Sequence, residues 1–351
     1  MAKPSGRTFS WRGGVRVRGS ILACDAATGS DLIFLSHAQA LEARAARLLP
    51  SPRSGKRQLL ATETTLALLA GASPGGQDKL RSFTLTPAFG RPFSVGDMRL
   101  ELFPAGHLPG SASLLCDRAG GRLVYAGPVG AEWAATTVPA MRTADALCVD
   151  GTFATPRFVF PPPAEALAAV VDAVRGAPGV SPAPVILARP LGPAMDIANA
   201  LGAAHFKLRA HRQVMAAAAA YRAAGLPVPP LTRFDGRLQP GEVLLWPPEA
   251  RDAGMLGRLA GGYFILASEW AADPKAAEIL RVDCAIPLAN FVGFPKLLDY
   301  IAATGAREVA IRHAPDDQLC RALGMRGIDA YPLGPPRQIS LFAGADAAAA
   351  S

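Results

Sequence analysis

The chain has 351 residues, half of them hydrophobic, which is enough for two domains or one large one with a sizeable core. Its five cysteines, Cys24, Cys116, Cys148, Cys284 and Cys320, show no CxxC spacing, which excludes a zinc ribbon and a disulfide framework and points to thiols in a reducing compartment. The basic start lacks the apolar core of a signal peptide and no window of 18 residues is uninterruptedly apolar, so the expected state is soluble and cytoplasmic, with no membrane partner.

The elements are expected in this order. GGVRVRGSILACDA reads as a hairpin, LIFLS as a strand and ALEARAARLLP as an amphipathic helix ended by Pro50. DKLRSFTLTP, MRLELFPA, SASLLCDRAGGRLVYAG and ALCVDGTF follow as strands, with AGG as a hairpin turn. After the proline-opened helix PPPAEALAAVVDAVRGAPG the pattern changes to strands and helices in alternation. PVILARPLGPAMDIANALGAA is strand, turn and helix, HRQVMAAAAAYRAAG a helix, and EVLLWPPEA and GYFILASEW are strands. FPKLLDYIAATG, REVAIRH and DDQLCRALGMRG then give helix, strand and helix. An α/β insertion within a sheet-rich shell accounts for the whole pattern, with GADAAAAS as a disordered tail.

The net charge is +8, and part of the excess is clustered: Arg7, Arg12, Arg16 and Arg18 near the start, then Arg44, Arg47, Arg53, Lys56 and Arg57. Such clusters attract polyanions by counterion release, so they are either a nucleic-acid face or an arginine-rich solvated surface.

AGHLPGSASLLCDRAGGRLVYAG, from Ala105, resembles the AGHxxGS motif and following hairpin of the metallo-β-lactamase-fold nucleases of the β-CASP type. LSHAQALE occupies the place of that family's THxHxDH loop, and ATETT resembles the helix start after it. VDGTFATP resembles the segment at the β-CASP boundary, RPLGPAMDIANAL its Leu-Gly-Lys-Ala-Gln helix and SEW its Ser-Gly-Trp. IPLANFVGFPKLLDYIAATGAREVAIRHA resembles the last ligand loop and the strand ending in the late histidine. The resemblance is collinear over almost the whole chain and nearest to the bacterial ligase-associated DNA exonucleases and mRNA 3′-end processing factors. It implies an α/β fold, an αββα sandwich with an inserted β-CASP α/β domain. The sandwich lobe would span 1–163 and 264–345, the insertion 164–263 and the tail 346–351.

The family's chemistry uses two metal ions, zinc or manganese, about 3.5–4 Å apart, to stabilise the attacking and leaving oxygens of a phosphodiester. In this sequence only His37 and His107 keep a ligand of the expected type. Gln39, Leu41 and Glu42 stand at the other positions of the histidine loop, Pro128 where the bridging aspartate belongs and Phe291 where a histidine belongs. With Glu42, the two imidazoles could hold one metal weakly, but not a two-metal site. Asp150 and His313 match the family's late acid and the histidine that meets the scissile phosphate, so they are vestigial catalytic positions; Thr152 sits beside the acid. Asp25, matched to an acid that braces the histidine loop, reads mainly as a turn former, and His205 and His211 as surface residues.

The resemblance therefore implies a pseudoenzyme without a cofactor. It would bind single-stranded DNA or RNA through the arginine clusters Arg44, Arg47, Arg53, Lys56 and Arg57, or scaffold a nuclease, helicase or DNA ligase. The competing expectation is a metal-dependent exonuclease with a reorganised mononuclear site of His37, Glu42, His107, Asp150 and His313.

Overall fold

A computed structural model describes residues 6–26, 30–40, 58–71, 80–131, 138–177, 183–251 and 262–335. Three sheets organise them. The first runs β1 (Phe9–Trp11), β2 (Val15–Val17), β3 (Leu22–Cys24), β4 (Leu32–Phe34), β5 (Gln58–Leu60) and β6 (Thr84–Leu85) in chain order. The β1–β2–β3 meander is antiparallel, as the GGVRVRG pattern predicts, and the remaining pairs are parallel.

The second sheet joins β7 (Phe93–Val95), β8 (Met98–Pro104), β9 (Ala112–Arg118), β10 (Gly121–Gly127) and β11 (Ala146–Asp150) to two strands from the end of the chain, β18 (Glu308–Arg312) and β19 (Asp329–Leu333). Its β7 to β10 half is antiparallel, and β10, β11, β18 and β19 run parallel. The first two sheets lie face to face. Phe9, Val15, Phe34 and Leu60 of one share an apolar core with Leu100, Leu114, Tyr125 and Ala310 of the other. Side chains of alternate strand residues supply the outer faces. Val124, Val149, Val309 and Ile311 are covered by α6 (Phe294–Thr304) and α7 (Gln318–Gly324) through Leu297, Ile301, Leu319 and Leu323. Ile33, Leu35 and Leu59, on the opposite outer face, pack on α1 (Glu63–Gly71). The result is a four-layer stack of helix, sheet, sheet and helix.

The third sheet is wholly parallel and ordered β14 (Leu231–Arg233), β13 (Lys207–Ala210), β15 (Glu242–Trp246), β12 (Pro184–Leu187), β16 (Tyr263–Ser268) and β17 (Cys284–Pro287). Parallel sheets are buried on both faces, and this one is. One face packs on α2 (Pro163–Arg175), α3 (Pro193–Ala203) and α4 (Arg212–Ala223) through Val170, Ile197 and Val214, in the same apolar cluster as the α1 side of the stack. Its other face is closed by Phe234, Trp246 and residues from the short α5 (Pro274–Ile279).

The expected return to the first lobe at about 264 falls at the start of β16. Both β16 and β17 hydrogen-bond into the third sheet, so the chain rejoins the second sheet only at β18. The strand expected over DKLRSFTLTP contracts to two residues, because only Leu59 and Leu60 of β5 pair with it. Of the expected helix ALEARAARLLP, only Ala40 falls within the described residues, and the tail lies wholly outside them. Among the described residues no helix is long and apolar enough to cross a membrane.

Candidate functional site

The parallel strands β4, β11 and β18 end on one side of the stack, where ligand sites of parallel α/β sheets form. His37 stands three residues beyond β4, and His107 lies in the turn between β8 and β9. That turn is built by backbone needs. Gly106 and Gly110 adopt φ +75° and +77°, and Ser111 Oγ accepts from the N–H groups of His107 (2.9 Å) and Leu108 (3.1 Å). The carbonyl of Gly110 accepts from the hydroxyls of Thr62 (2.6 Å) and Thr65 (2.9 Å), so the start of α1 and the turn are tied together. A Cβ on Gly130 would lie 2.0 Å from the carbonyl carbon and oxygen of Gly106, which fixes a second close approach behind His107.

The two imidazoles meet edge to face, with ring centroids 5.0 Å apart and planes at 86°. Their tautomers follow from their partners. His107 Nδ1 is 3.1 Å from the carbonyl of Asn290, which can only accept, so Nδ1 carries the proton. Ser36 Oγ donates to Asp25 Oδ2 (2.7 Å) and therefore accepts from His37 Nδ1, also at 2.7 Å.

Neutral imidazoles can ligate a metal, but the surroundings of this pair do not favour one. Burial pushes His37 down to about 3, and the positive charges of Arg312, Arg189 and His313 push the same way. His107 is held well below the ordinary imidazole value by burial, then by His37 and Arg189, against the weaker opposing pull of the Asn290 carbonyl. Pro128 is buried, and the Phe291 ring lies 4.4 Å from that of His107, centroid to centroid. Gln39 turns its amide to the Leu191 carbonyl at 3.4 Å. Among the described residues no three of His, Cys, Asp and Glu are grouped to hold an ion. This donor set does not fit a two-metal centre, which needs bridging carboxylates and more imidazoles.

Below the imidazoles lies a buried polar network that the sequence did not reveal. Asp25, read as a turn former, adopts φ +48° and is 5% exposed. Its carboxylate accepts from Ser36 N (2.8 Å), Ser36 Oγ, Tyr125 Oη (2.6 Å) and Arg312 (3.1 Å). Burial raises its pKa, and Arg312 and the Ser36 hydrogen bonds oppose the rise. It therefore braces the histidine loop as well as turning the chain. Arg312, 7% exposed, also meets the Tyr125 hydroxyl and lies 3.1 Å from His313 Nε2. No motif marks Arg312, which ends the apolar strand EVAIR. The second unforeseen pair is Arg189 with Glu269, the latter 1% exposed; Arg189 also donates to Asn290 Oδ1 at 3.1 Å.

Asp150 and His313 do come together. Asp150 Oδ1 holds Thr152 through its N–H (2.9 Å) and hydroxyl (2.5 Å), and Oδ2 is 4.0 Å from His313 Nε2. Burial raises Asp150, and His313 with the Thr152 hydrogen bonds opposes this. His205 is exposed as expected, whereas His211 is half-buried. It caps α4 by accepting from Gln213 N (3.3 Å) and packs on Trp246 at 4.3 Å. Glu42, Leu41, Arg44, Arg47, Arg53, Lys56 and Arg57 lie outside the described residues. Of the first basic cluster, Arg12, Arg16 and Arg18 line a cavity of about 450 Å3 with Ser10 and Trp11. Arg7 instead lies over Tyr331, 3.9 Å from the ring centre. Trp11 in turn lies 5.9 Å from the Arg312 guanidinium, which connects this basic cavity to the buried network.

No known protein-family model matches the chain. Over 249 residues it is 27% identical to a protein from Opitutus terrae named "Probable DNA ligase". The aligned stretch is 70% of this chain and 24% of that protein, so the chain spans about a quarter of its relative's length.

Proposed function

We propose that the chain is a catalytically silent relative of the metallo-β-lactamase-fold β-CASP nucleases that holds single-stranded nucleic acid beside a DNA-ligating partner. In this reading the four-layer stack is the sandwich lobe, and the third sheet with its helices is the inserted β-CASP lobe. One observation carries it: the place of the metal cluster holds two neutral imidazoles under cationic influence, with Phe291 and Pro128 replacing an imidazole and a carboxylate. With Arg312 and Arg189 close to the imidazoles, such a site favours a phosphate over a metal cation.

The net charge of +8 and the cavity lined by Arg12, Arg16 and Arg18 support a polyanionic ligand. The link to ligation draws on the relative's name and on its length, since there a segment like this chain is part of a longer protein. The test is binding without hydrolysis. A labelled single-stranded oligonucleotide should bind with an affinity that falls steeply with salt and remain full length in the presence of Zn2+ or Mn2+. Shortening of the oligonucleotide that His107→Ala abolishes would instead establish the mononuclear exonuclease.

A further inference from the structure

Phe291, which occupies a ligand position, belongs to a row of rings that reaches the surface. Its centroid is 4.4 Å from that of His107 and 5.0 Å from that of Phe153. Phe153 lies 5.3 Å from Trp270 and 5.8 Å from Phe160, all steeply tilted in edge-to-face contacts. The inner rings are fixed: Phe153 is 5% exposed and Phe158 1%. The outer ring is not covered. Trp270 leaves 49% of its surface open, and Val159, which follows the Phe158 ring that packs on it, leaves 60%.

Trp270 is also held in place by its backbone. Ser268 Oγ accepts from Trp270 N at 3.3 Å, and the preceding Glu269 is buried against Arg189. Arg157 sits 4.8 Å over the Phe158 ring with 56% of its side chain exposed, and it pairs with Asp273 at 3.0 Å at the surface, where such a pair contributes little. A half-open ring on a rigid support, next to a largely exposed guanidinium, is what an unpaired base and its phosphate require, since every base has a π face to stack.

We infer that Trp270 is a stacking surface for an unpaired base of single-stranded nucleic acid, held rigid from behind by Phe153 and Phe158, with Arg157 as the contact to the backbone. The inference rests on the nucleic-acid reading above and deepens it. Phe291 packs on Phe153 from the other side, so the row of rings behind Trp270 runs back to His107.

The experiment compares an oligothymidylate with an abasic oligonucleotide of the same length, by fluorescence anisotropy at fixed salt. Trp270→Ala should weaken oligothymidylate binding by about tenfold or more, Trp270→Phe should restore most of it, and the abasic strand should bind wild type and Trp270→Ala alike. Melting temperatures equal to wild type confirm that the variants fold. Undiminished binding of oligothymidylate by Trp270→Ala would overturn the stacking surface and leave the nucleic-acid reading standing. Failure of the wild type to bind either strand would overturn both.

Discussion

Asp25 and Arg312 show how one pair of residues holds the site's floor. Their side chains are 0% and 9% exposed and 3.1 Å apart, so removal of the cation leaves a buried carboxylate. Replacement of Arg312 by Met should cost about 3 kcal/mol in urea unfolding at neutral pH, the lower end for a broken buried pair, because Ser36 and Tyr125 still donate to the carboxylate. The loss should shrink in acid. A raised carboxylate takes up its proton more readily folded than unfolded, so lowering the pH through its folded pKa restores stability. The imidazoles behave oppositely. His37 and His107 are depressed, so the unfolded chain binds more protons and stability is lost as pH falls from about 6.5 toward the folded value, about 3 for His37. For His37, whose ring edge is partly open, this amounts to about 1 kcal/mol at pH 5. A His37→Phe variant should therefore show a flatter melting temperature between pH 7 and 5 than wild type, and equal slopes would refute the depressed imidazole. At this scale the sequence was half legible. His37 and His107 stand out as motif residues, whereas the partners of Asp25 lie 11, 100 and 287 positions away and leave no local trace.

The elements were more legible than the residues. Alternation and turn chemistry mark β8 to β11, and proline openings mark α2, α3 and α6, each with Pro at its start. What escaped was short or broken by proline. β17 is CAIP and β19 is DAYPL, and without β17 the end of the third sheet was placed too early. Pairing with β16 and β18 makes these strands, and pairing cannot be read from a run of four or five residues. The turn between β8 and β9 carries the clearest prediction at this scale. Ser111 Oγ satisfies two buried N–H groups, so Ser111→Ala should lower unfolding free energy by about 1–3 kcal/mol. Gly130→Ala should be worse, since its Cβ would overlap the Gly106 carbonyl at 2.0 Å and neither backbone can withdraw. Chemical denaturation of the two variants ranks them.

On the scale of the whole molecule, a four-layer stack and a parallel-sheet lobe meet where α1 packs on α4, and their shared apolar cluster makes them one body. The stack places His37, His107, Asp150 and His313 at strand ends, a position that suits phosphate chemistry on many folds, and among the described residues no three metal-ligating side chains are grouped there. The account's central claim is retention of the ligand without the reaction, and its most direct test is one assay. End-labelled single-stranded DNA is incubated with the protein and Mn2+ or Zn2+, and bound fraction and product length are read from the same samples. The account predicts salt-sensitive binding with full-length product, unchanged in length by His37→Ala and His107→Ala. Metal-dependent shortening that either substitution abolishes would contradict it.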